Sequence, residues 1–253
     1  MARVIALAGK GGTGKTTVAG LLVRALQRNG HGPVLAVDAD PNSCLDVAVG
    51  LTAERTVSDV LDESKGLRSV PQNMPKSTYV EMRLEDCLAE GRGVDLIVMG
   101  RPEGQECYCS ANQMLRTFMD RMIGSYPTVV VDNEAGMEHL SRRTTREIDL
   151  LLIVSDASLA GARASRRIAD LVGELGLPVK RIAVVVDGAE EMAGPVAEII
   201  TGGGLSLAGF VPHDPLIAEQ ELAAASLLEL PDEAPAVRAV RELLARELEE
   251  VTR

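Results

Sequence analysis

Residues Gly9 to Thr17 read Gly-Lys-Gly-Gly-Thr-Gly-Lys-Thr-Thr. Gly9, Gly14, Lys15 and Thr16 hold the fixed places of the phosphate-loop pattern G-x-x-x-x-G-K-[ST]. Glycines let successive backbone N–H groups turn inward around a polyphosphate without side-chain collision. Gly11, Gly12, Thr13 and Gly14 are therefore the expected cradle, and Lys15, Thr16 and Thr17 open the helix behind it. Lys15 can reach the β- and γ-phosphates, and the Thr16 hydroxyl can ligate Mg²⁺. The chemistry implied is binding of a nucleoside triphosphate and its hydrolysis to diphosphate and phosphate.

Three aspartates stand where such chemistry needs them. Asp38 and Asp40 end one apolar run, and Asp132 ends another. In a parallel sheet the strand C-termini collect at the phosphate edge. Carboxylates there can hold Mg²⁺ through its water shell or orient an attacking water. Asp38 and Asp132 are the expected Mg²⁺-side groups. Asp40 is the candidate that positions the hydrolytic water, in a first switch. Asp132-Asn133-Glu134-Ala135-Gly136 would form a second switch, its glycine presenting a backbone N–H to the γ-phosphate.

Four cysteines are present. Cys107 and Cys109 are one residue apart, ahead of a helix expected to begin near Ser110. A helix N-terminus favours thiolate, the metal-binding form of cysteine. Two thiolates do not complete a four-coordinate site, but a two-fold dimer would supply four. Such a set suits tetrahedral Zn²⁺ or planar Ni²⁺. Spacing alone leaves an ordinary pair of thiols equally open. Cys44 and Cys87 read as small buried hydrophobes. His31, His139 and His213 lie far apart and read as surface or helix residues.

The elements that must position these groups alternate along the whole chain. Val4–Ala8, Pro33–Val37, Val94–Met99, Thr128–Val131, Leu150–Val154, Ile182–Val186 and, more weakly, Leu205–Val211 are apolar runs suited to buried strands. Helical spacing separates them, as in Val18, Leu21, Leu22, Ala25 and Leu26 or Ile168, Leu171, Val172 and Leu175. This alternation predicts an α/β fold: one domain over residues 1–253, with a mostly parallel twisted sheet and helices on both faces. Lys65 to Thr78 carries two prolines and little periodicity, and reads as an irregular surface excursion. The last segment places Val237, Val240, Leu244, Leu248 and Val251 on one helix face, with Glu242, Glu247, Glu249 and Glu250 opposite. A membrane-seeking helix would carry Lys and Arg there, so packing on the sheet is expected.

The 253 residues have 46% hydrophobic content, enough for one large core, and a net charge of −11. That charge opposes non-specific binding to DNA or anionic lipid. With two Phe, three Tyr and no Trp, base-stacking platforms are not expected. No secretion leader, membrane span or myristoylation glycine is read, so the expectation is a cytoplasmic protein without a nucleic-acid or membrane partner.

The stretch Lys10–Thr16 resembles the deviant phosphate-loop ATPases, the MinD, ArsA and nitrogenase iron-protein group. The resemblance implies a MinD-like phosphate-loop fold, with Lys10 crossing a dimer interface to the partner's phosphates, where its charge acts as an arginine finger does. It also implies ATP as the nucleotide. Asparagine usually reads adenine after a late strand in that group, and here Val184-Val185-Val186-Asp187-Gly188 puts Asp187 there. A carboxylate accepts from adenine N6 but cannot donate to N7, and it could equally accept from guanine. Val211-Pro212-His213-Asp214-Pro215 resembles the loop along the adenine edge, which makes Pro212 and Asp214 candidates. Gly9–Thr17, Val37–Asn42, Gly100–Arg116 and Val131–Arg143 together resemble the CooC-type accessory ATPases of carbon monoxide dehydrogenase and their relative serving acetyl-CoA synthase. That resemblance implies an ATP-driven homodimer that binds nickel through paired Cys107 and Cys109 and assists its insertion into the client's Ni–Fe–S centre. A MinD- or ParA-type positioning or partitioning ATPase is the alternative, and a non-catalytic nucleotide-binding regulator a third class.

Overall fold

In a computed structural model, residues 2–40, 42, 44–65, 74–101, 109–133 and 147–252 are described. Eight strands form one sheet: β1 (Arg3–Gly9), β2 (Val34–Ala39), β3 (Leu88–Glu90), β4 (Val94–Val98), β5 (Thr128–Asn133), β6 (Ile148–Ser155), β7 (Val179–Asp187) and β8 (Ser206–Val211). Their spatial order is β3-β4-β2-β5-β1-β6-β7-β8. Every pairing is parallel except the short edge pair β3–β4. β2 to β5 lie on one side of β1, with β5 beside it and β3 at the edge, and β6, β7 and β8 run outward in order on the other. β1, between β5 and β6, is thus the switch point where an open parallel sheet offers a crevice at its strand ends.

The strands are apolar on both faces because helices cover both. Ile5, Leu7, Val130, Leu150 and Leu152 pack with α1 (Lys15–Arg28), α2 (Leu45–Val49), the short 3₁₀ turn Leu227–Glu229 and the C-terminal helix Pro235–Thr252. The alternate residues, among them Val4, Ala6, Val129 and Ile153, pack with α3 (Val57–Lys65), α4 (Lys76–Glu85), α5 (Cys109–Ser125), α6 (Leu159–Glu174) and α7 (Gly194–Thr201). α8 (Pro215–Leu222) buries none of its residues, and the C-terminal helix is α9.

Two details depart from expectation. Within the Lys65–Thr78 stretch, helix α4 begins at Lys76, and residues 66–73 lie outside the described set. Along α9, Val237, Val240, Leu244 and Leu248 are buried as expected, but so is Glu247. Its carboxylate accepts from Arg181 Nε of β7 at 2.5 Å, so an ion pair lets a charge sit on the packed side.

Candidate nucleotide site

The turn between β1 and α1 needs glycine for two separable reasons. Gly12 and Gly14 have φ of 78° and 81°, which L side chains rarely adopt. A Cβ on Gly14 would also stand 2.8 Å from Cγ of Asp187. α1 then starts at Lys15 with no side-chain cap. Its first N–H groups are thus left for a ligand, and the helix dipole favours an anion there. The Lys10 carbonyl ties the loop together, accepting from Thr13 Oγ1 at 2.8 Å and from Lys15 Nζ at 3.4 Å. Lys15 is buried, while Lys10, Gly11 and Gly12 are exposed.

Beside the loop lie two buried carboxylates, brought together because Asp38 and Asp132 are partners in the β2–β5 register. Asp132 Oδ2 accepts from the Thr16 hydroxyl at 2.7 Å, and its Oδ1 is buried without a partner. Burial pushes this acid up to about 6, against the opposing pull of Thr16 and Lys15. Asp38 accepts from the Leu45 and Asp40 N–H groups at 3.0 and 3.1 Å. Burial first, with Asp132 adding repulsion, pushes it up to about 7. A partnerless buried carboxylate oxygen beside a hydroxyl at a phosphate loop is an all-oxygen donor set that fits Mg²⁺. The cost of burying two acids falls away once a cation neutralises them.

Asp40 lies half-buried at the end of β2, and its Oδ1 accepts from Asn42 N at 2.8 Å and Nδ2 at 3.0 Å. Asn133 is a residue whose role the sequence did not single out. Its Nδ2 donates to the Leu7 carbonyl at 2.8 Å and its Oδ1 is buried without a partner, so it joins β5 to the strand that leads into the phosphate loop. Only the strand pairing reveals this. Glu134, Ala135, Gly136 and His139 lie outside the described residues.

Asp187 ends β7 against Gly14, and burial pushes it up to about 6, opposed by the Gly188 N–H and by His213. Asp214 is buried, and both its oxygens accept backbone N–H groups: Leu216 at the start of α8 and Ala236 at the start of α9, each at 3.1 Å. Its carboxylate therefore fixes the loop, leaving half-buried Pro212 and exposed His213 on its surface.

Of the cysteine pair, Cys109 is the first residue of α5, as the expected helix start near Ser110 requires. Cys107 lies outside the described residues, and so does the expected sulfur site. Among the described residues no group of three or more His, Cys, Asp or Glu side chains is placed to hold a metal. Cys87 is buried as expected, its thiol pushed up to about 12 by burial. Cys44 corrects its expectation: it is exposed, because it sits in the turn ahead of α2 with Sγ directed at the Asn42 carbonyl, 3.6 Å away. Among the described residues no helix is long and apolar enough to cross a membrane.

A family model described as the CobQ/CobB/MinD/ParA nucleotide binding domain matches residues 4–226. An uncharacterized ATP-binding protein of Methanocaldococcus jannaschii is 40% identical over 247 residues, covering 95% of this chain and 96% of that protein. The carbon monoxide dehydrogenase accessory protein CooC of Rhodospirillum rubrum is 32% identical over 242 residues, covering 89% of each. The solved cell division ATPase MinD of Pyrococcus furiosus superposes with a TM-score of 0.72 over 99% of this chain and 100% of its own, at 22% identity, a likeness of fold. By its matched length and its full-length relatives, this chain belongs to the CobQ/CobB/MinD/ParA family of phosphate-loop nucleotide-binding proteins.

Proposed function

We propose that the chain hydrolyses ATP to ADP and phosphate as a homodimer, and couples that cycle to nickel delivery into carbon monoxide dehydrogenase or the related acetyl-CoA synthase. One observation carries this reading: a Cys107-Tyr108-Cys109 motif in a chain that is 32% identical to a carbon monoxide dehydrogenase accessory protein over 89% of both lengths.

In this reading the phosphates lie along Gly11 to Thr17, and Lys15 follows the charge that builds on the transferred phosphoryl group. Thr16, Asp132 and Asp38 would hold Mg²⁺, which when bound neutralises charge between the β- and γ-phosphates. Asp40 orients the attacking water. Lys10, exposed at the loop's start, reaches the partner's nucleotide. Asp187 and Pro212 face the base, with Asp214 holding the Pro212 loop. Nickel is the cargo, taken by Cys107 and Cys109 of two subunits as four thiolates, a set that Zn²⁺ would also accept. Loss of the γ-phosphate relaxes the switch loops and with them the sulfur geometry, so nucleotide and metal affinities are coupled reciprocally. The protein would work in the cytoplasm, without a nucleic-acid or membrane partner.

The test is an equilibrium Ni²⁺ titration of the Cys107→Ser/Cys109→Ser variant, with Mg–ATP affinity as the control. Tight nickel binding should vanish and Mg–ATP affinity should stay. Unchanged metal stoichiometry would place the ligands elsewhere. ATP-dependent co-sedimentation with DNA or liposomes would favour the positioning-ATPase alternative instead.

A further inference from the structure

A cavity lies away from the phosphate loop, at the far end of α1. Its volume is about 560 Å³, within the usual range of small-molecule pockets. α1 has 14 residues. At 1.5 Å per residue, Arg28 stands about 20 Å from Lys15 along the helix. Arg28 reaches the cavity from α1 and Arg92 from the turn before β4. Among the described residues neither has a carboxylate within 4.0 Å. Asp232, which feels Arg28 at longer range, is ion-paired with Arg24 at 2.6 Å. Arg28 and Arg92 are both exposed at the cavity, which gives its rim two positive charges in a chain of net charge −11. Val49, Leu51 and Leu228 supply apolar wall, and Glu229 adds one carboxylate.

We infer that this cavity binds a small organic anion, its carboxylate or phosphate head held by Arg28 and Arg92 and its apolar body laid on Val49 and Leu51. Guanidinium forks match both head groups bidentately, and the apolar wall rewards a ligand with a hydrocarbon body over a bare ion. Glu229 opposes excess negative charge and favours a ligand with a hydrogen-bond donor away from its head.

The site is also joined to the nucleotide machinery. Val49 ends α2 and Leu51 follows it. At the other end of this five-residue helix, Leu45 N–H is bonded to Asp38. The helix is about 7.5 Å long. Its lower end is clamped: Ser226 Oγ donates to the Ala48 carbonyl at 3.1 Å, and Ser226 fills the space a Cβ on Gly50 would need. A ligand that shifts Val49 to Leu51 thus moves the N–H that orients Asp38. Linkage then requires Mg–nucleotide to change the anion's affinity by the factor that the anion changes the nucleotide's.

The experiment uses the full chain saturated with Mg–ADP, which fills the phosphate loop. Phenyl phosphate and benzoate are titrated, with inorganic phosphate as the control lacking an apolar body, and backbone amide NMR shifts are followed. Saturable shifts are expected at Val49, Gly50 and Leu51. Binding of whichever organic head group is preferred should be roughly ten-fold tighter than that of inorganic phosphate, and roughly ten-fold weaker in Arg28→Gln/Arg92→Gln. Glu229→Gln should tighten it about two- to three-fold. Comparing phenyl phosphate with benzoate assigns the head group. Shifts confined to residues 11–17, no saturation of either organic anion by ~10 mM, or equal affinity in the arginine variant would overturn the site. An Mg–ADP affinity unmoved by a saturating anion would overturn the coupling. None of these outcomes depends on whether nickel binds.

Discussion

Replacing Gly14 by alanine separates two demands that meet at the head of α1. The first is backbone strain: φ is 81°, and left-handed backbone costs an L residue about 1–2 kcal/mol. The second is space, since the new methyl would fall 2.8 Å from Cγ of Asp187 and closer still to its Oδ2. Asp187 would have to swing aside, away from its preferred rotamer. A side chain forced off its rotamer costs about 1 kcal/mol. Gly14→Ala should therefore lower stability by about 2–3 kcal/mol and weaken ATP binding by at least about ten-fold, because the first N–H groups of α1 are displaced. Asp187→Gly in the Gly14→Ala background should return about 1 kcal/mol, leaving the backbone part. Urea denaturation of the four proteins of the cycle, with a fluorescent-nucleotide titration of each, measures both quantities. Additive effects of the two substitutions would refute the contact, and a neutral Gly14→Ala would refute the whole description of the loop.

Other expectations follow from the buried charges. Asp132 titrates near 6 folded and near 3.8 unfolded, so the folded protein holds the proton longer, and stability falls as pH rises through that window. Asp132→Asn, always neutral, should match the wild type near pH 4 and exceed it by about 2–3 kcal/mol at pH 8 without Mg²⁺, while losing Mg–nucleotide binding. Urea midpoints at both pH values check this, and an equal difference at both would contradict it. Arg181→Ala should destabilise by about 2 kcal/mol, since it strands the buried Glu247 carboxylate while Arg181 itself is partly exposed. Adding Glu247→Ala should recover part of that loss in the same denaturation assay. In the Cys107→Ser/Cys109→Ser background, alkylation should label Cys44 well before Cys87, because only Cys44 is exposed.

The nucleotide half was legible because its signals are local. The glycine spacing, the apolar run of β1 and the helical period of α1 each speak within a few residues. What escaped notice depends on partners far along the chain. Glu247 reads as a solvated helix residue until Arg181 appears beside it from β7, and Asn133 gains a task only because β5 lies next to β1. Asp214 resembles a base-edge residue, yet it caps two helices whose starts are separated by 20 residues of chain. The edge strand β3 has only three residues, too few for an alternating pattern to show. Cys44 misled because cysteine is as a residue type most often buried, whereas its place in the turn before α2 leaves it exposed. The strand order itself is written in no single segment.

The central claim is that two identical subunits complete both a triphosphate site and a sulfur site. Size-exclusion chromatography with light scattering and metal analysis, on apo, ADP and ATP forms with and without Ni²⁺, tests it most directly. The account predicts a dimer carrying one nickel per two chains, formed with ATP and Ni²⁺ and lost in Cys107→Ser/Cys109→Ser. A monomer under every combination, or a full nickel per chain without those cysteines, would contradict it.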